Sequence, residues 1–271
     1  MSDRKSRLGG GQINSEQLAV SGEQQKRNSP ELLTAYCSLL TLSPGPSPTF
    51  SIILPIYNEA RVLGETLAGL PAAPDLEIIV VDGGSTDSTK EVASRFPLVH
   101  LLQTPPGRGG QINAGARAAR GRFLVFLHAD TSLGPEHLDA IRRAAVDPGF
   151  SAGAFELRLT PPLPALRFIA WGANRRARIF SLPYGDQALI LRRDLFEKLG
   201  GFSQQRPEDL DLVIRLRRYT RLRILSPPVP SSGRRWLHQG YFHTTLENWL
   251  FFAYHLAERT FTRRWPERGE L

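Results

Sequence analysis

Four short polar stretches in the first half of the sequence each follow an apolar run. Between them they carry residues suited to a phosphorylated ligand. Pro55-Ile-Tyr57-Asn58-Glu59 follows the first run and Asp82-Gly-Gly-Ser85-Thr-Asp87 the second; Arg108-Gly-Gly-Gln-Ile-Asn113 follows the third and His128-Ala-Asp130 the fourth. A carboxylate just beyond a strand, such as Asp82, can accept hydrogen bonds from a ribose or a base N–H. Gly83 and Gly84 allow close backbone approach, and the Arg108 guanidinium matches the geometry of a diphosphate. Asp130 is placed to hold a divalent cation that bridges phosphate oxygens and stabilises charge on a leaving nucleotide diphosphate. Each stretch alone could be a helix cap or a turn. Their succession on four consecutive runs is what points to one cleft, with Pro55, Tyr57, Glu59, Asp82, Ser85, Arg108, Asn113 and Asp130 as candidate contacts.

The elements that must position these residues are legible from periodicity. Residues 123–127 form a five-residue apolar run opened by Gly121, the pattern of a strand buried on both faces. Comparable runs predict strands over 50–55, 77–81 and the segment from Val99. Helices are expected over 59–70, up to Phe96, up to Arg120, and over 135–146. Strands alternating with helices in this way indicate βαβ units and an α/β fold, a mostly parallel central sheet with helices on both faces. The ends of such strands share one edge, where ligands bind. After Phe150 the pattern changes. Residues 152–160 alternate as a half-exposed strand, 163–180 read as a helix, and QALILRR (residues 187–193) as a short strand. Helices follow over 194–199 and 207–218, then a last strand over 222–228 and an aromatic-rich helical end over 239–264.

At 271 residues the chain can bury a full core, and its composition, 41% hydrophobic and 22% charged, is that of a soluble globular protein. The net charge of +8 suits phosphorylated substrates or an anionic surface without choosing between them. Cys37 is the single cysteine and fits a reducing compartment. With no membrane-length apolar run and no signal-peptide pattern, a cytoplasmic location is expected. Residues 1–49 read as a polar tail and Pro-rich linker, and 50–265 as one domain with two halves, 50–150 and 151–265, divided where the pattern changes. The arginines are dispersed and no RNA-binding aromatic motif occurs, so no specific nucleic-acid partner is expected.

No G-x-G-x-x-G follows the first strand and no G-x-x-x-x-G-K-[ST] occurs, which removes dinucleotide dehydrogenases and P-loop NTPases. The set PIYNEA, VVDGGSTD, GRGGQINAG, FLHADT and PEDLDL, in that order, resembles the family 2 inverting glycosyltransferases of GT-A fold, across nearly the whole chain beyond the tail. The resemblance implies a nucleotide-diphosphate sugar donor, with Asp82 at the nucleobase and Asp130 at a Mn2+ or Mg2+ and diphosphate site. His128 stands where that family's metal motif has its first carboxylate, so a later histidine, His238 or His243, could complete the site. The same resemblance assigns the general base to Asp209, beside Glu208. Inverting transfer needs one carboxylate to take the acceptor's proton as the hydroxyl attacks. Without the other motifs, Glu208 and Asp209 would simply favour the positive end of a helix.

LHADT, PYGDQA and SGRRW most resemble a small subgroup catalogued beside arsenosugar and carotenoid-glycoside pathways. This implies a small-molecule or lipid-like acceptor. Tyr184 to Gln187 could line the acceptor pocket, and Gly233-Arg234-Arg235-Trp236 could contact phosphate or acceptor. The aromatic residues and arginines near the C-terminus could lie peripherally on the inner face of a membrane. Two alternatives stay open: a sugar-phosphate nucleotidyltransferase, which would want a Gly-rich basic signature after the first strand, and a non-catalytic nucleotide-sugar binding protein.

Overall fold

The computed structural model describes residues 48–203, 208–241 and 244–245. Seven strands form one sheet: β1 (Phe50–Ile56), β2 (Leu76–Asp82), β3 (Val99–Gln103), β4 (Phe123–Phe126), β5 (Ala152–Thr160), β6 (Leu189–Arg192) and β7 (Arg223–Ser232). Their order across the sheet is β3-β2-β1-β4-β6-β5-β7. The pairs β1/β2, β2/β3, β1/β4 and β5/β7 are parallel, while β6 runs antiparallel to both β4 and β5.

Alternation along the central strands divides the core between the two faces of the sheet. Ile52, Leu54, Val80 and Val125 point to one side. There they meet Leu63 and Leu67 of α1 (Ala60–Gly69) and Leu138 and Ile141 of α4 (Pro135–Ala145). Ile53, Ile79, Val81 and Leu124 point to the other. They meet Ile112 of α3 (Arg108–Ala118), Phe196 of α6 (Arg193–Lys198) and Leu210 of α7 (Glu208–Leu216). The short α2 (Thr89–Ser94) closes the β2–β3 connection. The helix α5 (Pro164–Phe180) packs Leu166 and Ala170 on Leu157 and Leu159 of β5, with Trp236 of α8 (Arg234–Gln239) completing this smaller cluster.

Two elements differ from their sequence reading. β5 was expected to be half-exposed throughout, but Ala152 to Phe155 are buried on both faces and alternation begins only at Glu156. The cause is cover on both faces: Ala152 and Ala154 join one core cluster and Phe155 the other. β7 was expected to stop at Pro228, but it continues to Ser232. Pro227, Pro228 and Pro230 are tolerated because β7 is the last strand in the sheet order, where a missing N–H breaks no second ladder. The extra residues deliver Arg234 to the edge where β4 ends: Ser232 N–H donates to the Asp130 carbonyl at 3.1 Å. Of the expected C-terminal aromatic helix, residues 246–264 lie outside the described residues, as do residues 1–47 of the tail.

At the opposite edge, Glu77 is buried and ties three strands together. It accepts hydrogen bonds from the Ser51 hydroxyl (2.6 Å), the Arg120 N–H (2.5 Å) and the Gly121 N–H (3.1 Å). Burial alone would push its carboxyl up, but these donors and the Arg120 guanidinium outweigh it and hold the carboxyl below its usual range. Gly121 must be glycine here, because a Cβ would sit 2.7 Å from the Phe50 carbonyl carbon. Glu77→Ala leaves several buried donors unpaired and is expected to cost ~2–3 kcal/mol. Urea denaturation checks this, and an unchanged midpoint would contradict it.

Candidate functional site

The loops after β1 and β2 are knitted into one unit. Asn58 adopts a left-handed conformation (φ 54°), donates its N–H to the Ser85 hydroxyl at 2.9 Å and accepts the Thr86 N–H at 2.8 Å. Glu59 N–H donates to the Thr89 hydroxyl, and Asp87 accepts from Thr89 and Ala60. Asp82 is fully buried, and its carboxylate accepts the N–H groups of Gly84 and Ser85 and the Ser85 hydroxyl. Gln111 bridges the strand ends beneath, donating to the carbonyls of Ile56 and Val81 at 2.8 Å each. Gly83 is small for Gln111: a Cβ there would lie 2.9 Å from the Gln111 carboxamide carbon.

Beside this platform lies an acid–arginine–imidazole cluster. Arg108, at the start of α3, faces Glu208 (Nε–Oε1 3.4 Å), Asp209 (Nη2–Oδ2 3.3 Å) and the Nε2 of His128. Glu208 and Asp209 open α7, where two acids also suit the helix dipole. Burial drives the His128 pKa well below its ordinary value, reinforced by the Arg108 charge, so its imidazole is neutral and accepts from the guanidinium. Burial also pushes the Asp209 carboxyl above its usual range; Arg108 opposes the shift, Glu208 adds to it and the Gly185 N–H moderates it. Gly185 is the point of closest backbone approach. A Cβ on it would fall 2.2 Å from Asp209 Oδ2 and 2.5 Å from His128 Nε2, so no other residue fits without displacing both. Pro55 and Leu127 line the same cleft.

A second cluster sits where β4 and β7 end. Arg234 approaches Asp130 at 3.3 Å and Glu59 at 3.6 Å. Burial raises the Glu59 carboxyl, with Arg234 opposing and Asp130 adding to the shift. The Thr66 hydroxyl of α1 holds the intervening loop by donating to the Ala129 carbonyl at 2.5 Å. Asp186 is electrostatically coupled to both clusters. It lies in the one-turn 3-10 helix Gly185–Gln187 and feels Asp209 and Asp130 as repelling charges. Burial, the largest influence, and those two carboxylates push its carboxyl up to about 6, against the pull of Arg176 and Arg108. Its Oδ1 is buried and has no hydrogen-bond partner among the described residues.

The sequence candidates therefore divide. Asp209, Glu208 and Arg108 come together with His128, and Asp130 meets Glu59 through Arg234. Tyr57 stands half-exposed beside this edge. Three of these sites have protein partners that the sequence does not show. Asn113 does not face the cleft: its carboxamide pairs with both the N–H and the carbonyl of Phe202, at 2.9 and 2.8 Å, stapling α3 to the 200–203 turn. Asp82 and Ser85 are turned into their own loop, which they build. Arg108 is engaged by two carboxylates rather than left open to a diphosphate.

Sequence reading named Arg234 without its partners and left Asp186 inside a four-residue turn. The pairing of an acid with an arginine about one hundred residues later carries no local signal. Among the described residues no group of three or more His, Cys, Asp or Glu side chains comes together as a metal site. His238 is exposed on α8, and His243 lies outside the described residues. Asp130 with Glu59 nevertheless offers the one or two carboxylates that suffice for Mg2+ or Mn2+ when phosphate oxygens complete the shell.

The family model described as Glycosyl transferase family 2 matches residues 51–199. A PGL/p-HBAD biosynthesis glycosyltransferase of Mycobacterium bovis is 32% identical over 166 residues, covering 58% of this chain and 64% of its own length. This chain thus spans less than two thirds of that relative. Validoxylamine A glucosyltransferase of Streptomyces hygroscopicus is 32% identical over 111 residues, 37% of this chain and 26% of its own. Among solved structures, S. aureus TarS 1-349 in complex with UDP superposes with a TM-score of 0.56 at 20% identity, covering 68% of this chain and 60% of that one. The mannosyltransferase PcManGT of Pyrobaculum calidifontis, in complex with GDP-Man and Mn2+, superposes with a TM-score of 0.55 at 22% identity, covering 79% of this chain and 66% of that one. These structural likenesses establish the GT-A type fold.

Asp186 makes the site's charge measurable. Its carboxyl titrates near 6 in the folded chain, above the ordinary 3.8, so the folded state binds this proton more tightly. The stability it lends below about pH 4 is lost as pH rises through about 6. Asp186→Asn keeps the shape and removes the charge. Its melting-temperature advantage over the wild type is expected to grow between about pH 4 and 6 and then hold, at roughly 6–12 °C for the full shift. A pH-independent difference in thermal denaturation would contradict this.

Proposed function

The chain belongs to glycosyl transferase family 2, and from that premise we propose that it moves a sugar from a nucleotide-diphosphate donor to an acceptor hydroxyl with inversion. The observation that carries this reading is the pairing of two clusters on one sheet edge, Asp209 with Arg108 and Asp130 with Arg234. One can remove a proton and the other can receive a diphosphate. The relatives' names and the UDP and GDP-Man held by structural neighbours support a sugar nucleotide as donor.

Asp209 is the proposed general base. Its carboxylate takes the proton from the acceptor hydroxyl as that oxygen bonds to the anomeric carbon. The bond from that carbon to the diphosphate oxygen breaks on the opposite face, and its electron pair leaves with the nucleotide diphosphate. Burial and Glu208 make Asp209 a stronger base than a solvated carboxylate, while Arg108 keeps it ionised and oriented. Neutral His128 fills the remaining side of the guanidinium without adding charge. Arg234 is the proposed cationic partner of the diphosphate, and Glu59 and Asp130 would hold Mn2+ or Mg2+, which when bound neutralises charge on the leaving group. Asp82 and Ser85 act by ordering the loop against which the nucleoside lies. The acceptor is proposed to be a small-molecule or lipid-like alcohol, in keeping with the resemblance to the arsenosugar and carotenoid-glycoside subgroup.

Transfer is assayed by mass spectrometry with the sugar nucleotide that stabilises the protein most in a thermal-shift panel. Asp209→Asn is expected to lower kcat about 10²–10⁴-fold with UDP or GDP affinity unchanged. Equal loss of binding and turnover would make the residue structural. Because the base must be ionised, wild-type kcat/KM should rise with pH through a pKa above the ordinary carboxylate range; a limb at the ordinary value would contradict the environment assigned to Asp209. Chelation of divalent metal is expected to suppress transfer, and full activity in excess chelator would reject the metal assignment.

A further inference from the structure

The helix α5 has two faces, and only the inner one is accounted for by the fold. Leu166, Ala170 and Ala177 are buried toward the domain. Phe168, Trp171, Arg175 and Ile179 follow at i, i+3, i+7 and i+11, which places them together on the opposite face. These apolar side chains are exposed: Phe168 71%, Trp171 57% and Ile179 61%. Phe168 and Trp171 stack with ring centroids 5.6 Å apart, and the Arg175 guanidinium lies 5.6 Å from the Trp171 ring. A helix that only needed to cover the sheet would carry polar residues there.

The charge on this helix has one sign. Its seventeen residues include four arginines and no acid. Arg176 turns inward over the Tyr184 ring and Arg178 pairs with Glu156. Arg167 and Arg175 remain on the exposed side, beside the aromatic stripe. An exposed aromatic and apolar face interspersed and flanked only with arginine is the pattern of a helix lying in the headgroup layer of an anionic bilayer. Membrane-interface aromatics supply the apolar contact and arginines the phosphate contact.

We propose that the outer face of α5 docks the protein on an anionic lipid surface. No helix among the described residues is long and apolar enough to cross a membrane, so this is a peripheral contact. The C-terminal end of α5 leads within five residues to Gly185, which touches Asp209 and His128. The docking does not depend on the glycosyl-transfer reading.

Co-sedimentation of the full chain with vesicles, without donor or acceptor, tests the docking. One set is phosphatidylcholine alone and the other contains one quarter phosphatidylglycerol. The wild type should bind the anionic set and release partly as salt is raised. The double change Phe168→Ser with Trp171→Ser is expected to weaken binding about fivefold or more. Arg167→Gln with Arg175→Gln should weaken binding to anionic vesicles without altering the melting temperature. Full binding by both folded double variants would overturn the proposal and shift the contact to another part of the chain. Wild-type protein that stays in the supernatant would overturn it outright. Light scattering showing a wild-type dimer that the Phe168/Trp171 variant dissolves would identify a second copy as the occupant instead. None of these results depends on turnover, so the transferase reading stands or falls separately.

Discussion

The guanidinium of Arg108 is the interaction on which the site depends. It leaves the start of α3 and reaches Glu208 and Asp209, about one hundred residues later in the chain, with the His128 imidazole against the same group. Two carboxylates side by side at a helix start would repel each other and, being buried, would tend to protonate. One arginine between them makes an ionised Asp209 affordable. Burial, reinforced by the same guanidinium, keeps His128 uncharged. This gives a physical reason for histidine where the family motif carries an acid: Glu208, Asp209 and Asp186 already crowd the cleft with negative charge, and a neutral acceptor adds none.

The second cluster follows the same logic, one arginine between two carboxylates. Arg234 faces Asp130 and Glu59, and it arrives there only because the edge strand β7 continues through its prolines to Ser232. Asp186 responds electrically to both clusters and carries a buried oxygen without a partner. Such a group costs stability in the resting protein and is available to a ligand hydroxyl, the kind of compromise expected where function opposes stability.

Much of this was legible in the sequence. The four strand-ending stretches, the α/β alternation and the parallel pairing of β1 to β4 follow from local patterns of period 2 and 3.6, and local patterns are what a sequence displays directly. Arg108 and Asp130 stood out by type and setting, while Asp209 and Glu208 were singled out only through the family resemblance. Their partners were not legible. The Arg108 contacts to Glu208 and Asp209, the Arg234 contact to Asp130 and the Asn113 pairing with Phe202 are long-range and depend on the folded sheet. Asn113 illustrates this: its carboxamide mimics a peptide group and staples a distant turn, a pairing its place on a Gly-rich helix start does not announce. The extent of β7 was missed because proline ends most strands, and only a strand's rank in the sheet order shows where it does not.

The central claim is a single displacement with Asp209 as the base, which inverts the anomeric carbon. It is tested most directly by recording the proton NMR anomeric signal as the enzyme transfers sugar from an α-linked sugar nucleotide. The account requires the β-linked product to form first. An α-linked product would contradict it, because retention cannot arise from one attack opposite the leaving diphosphate.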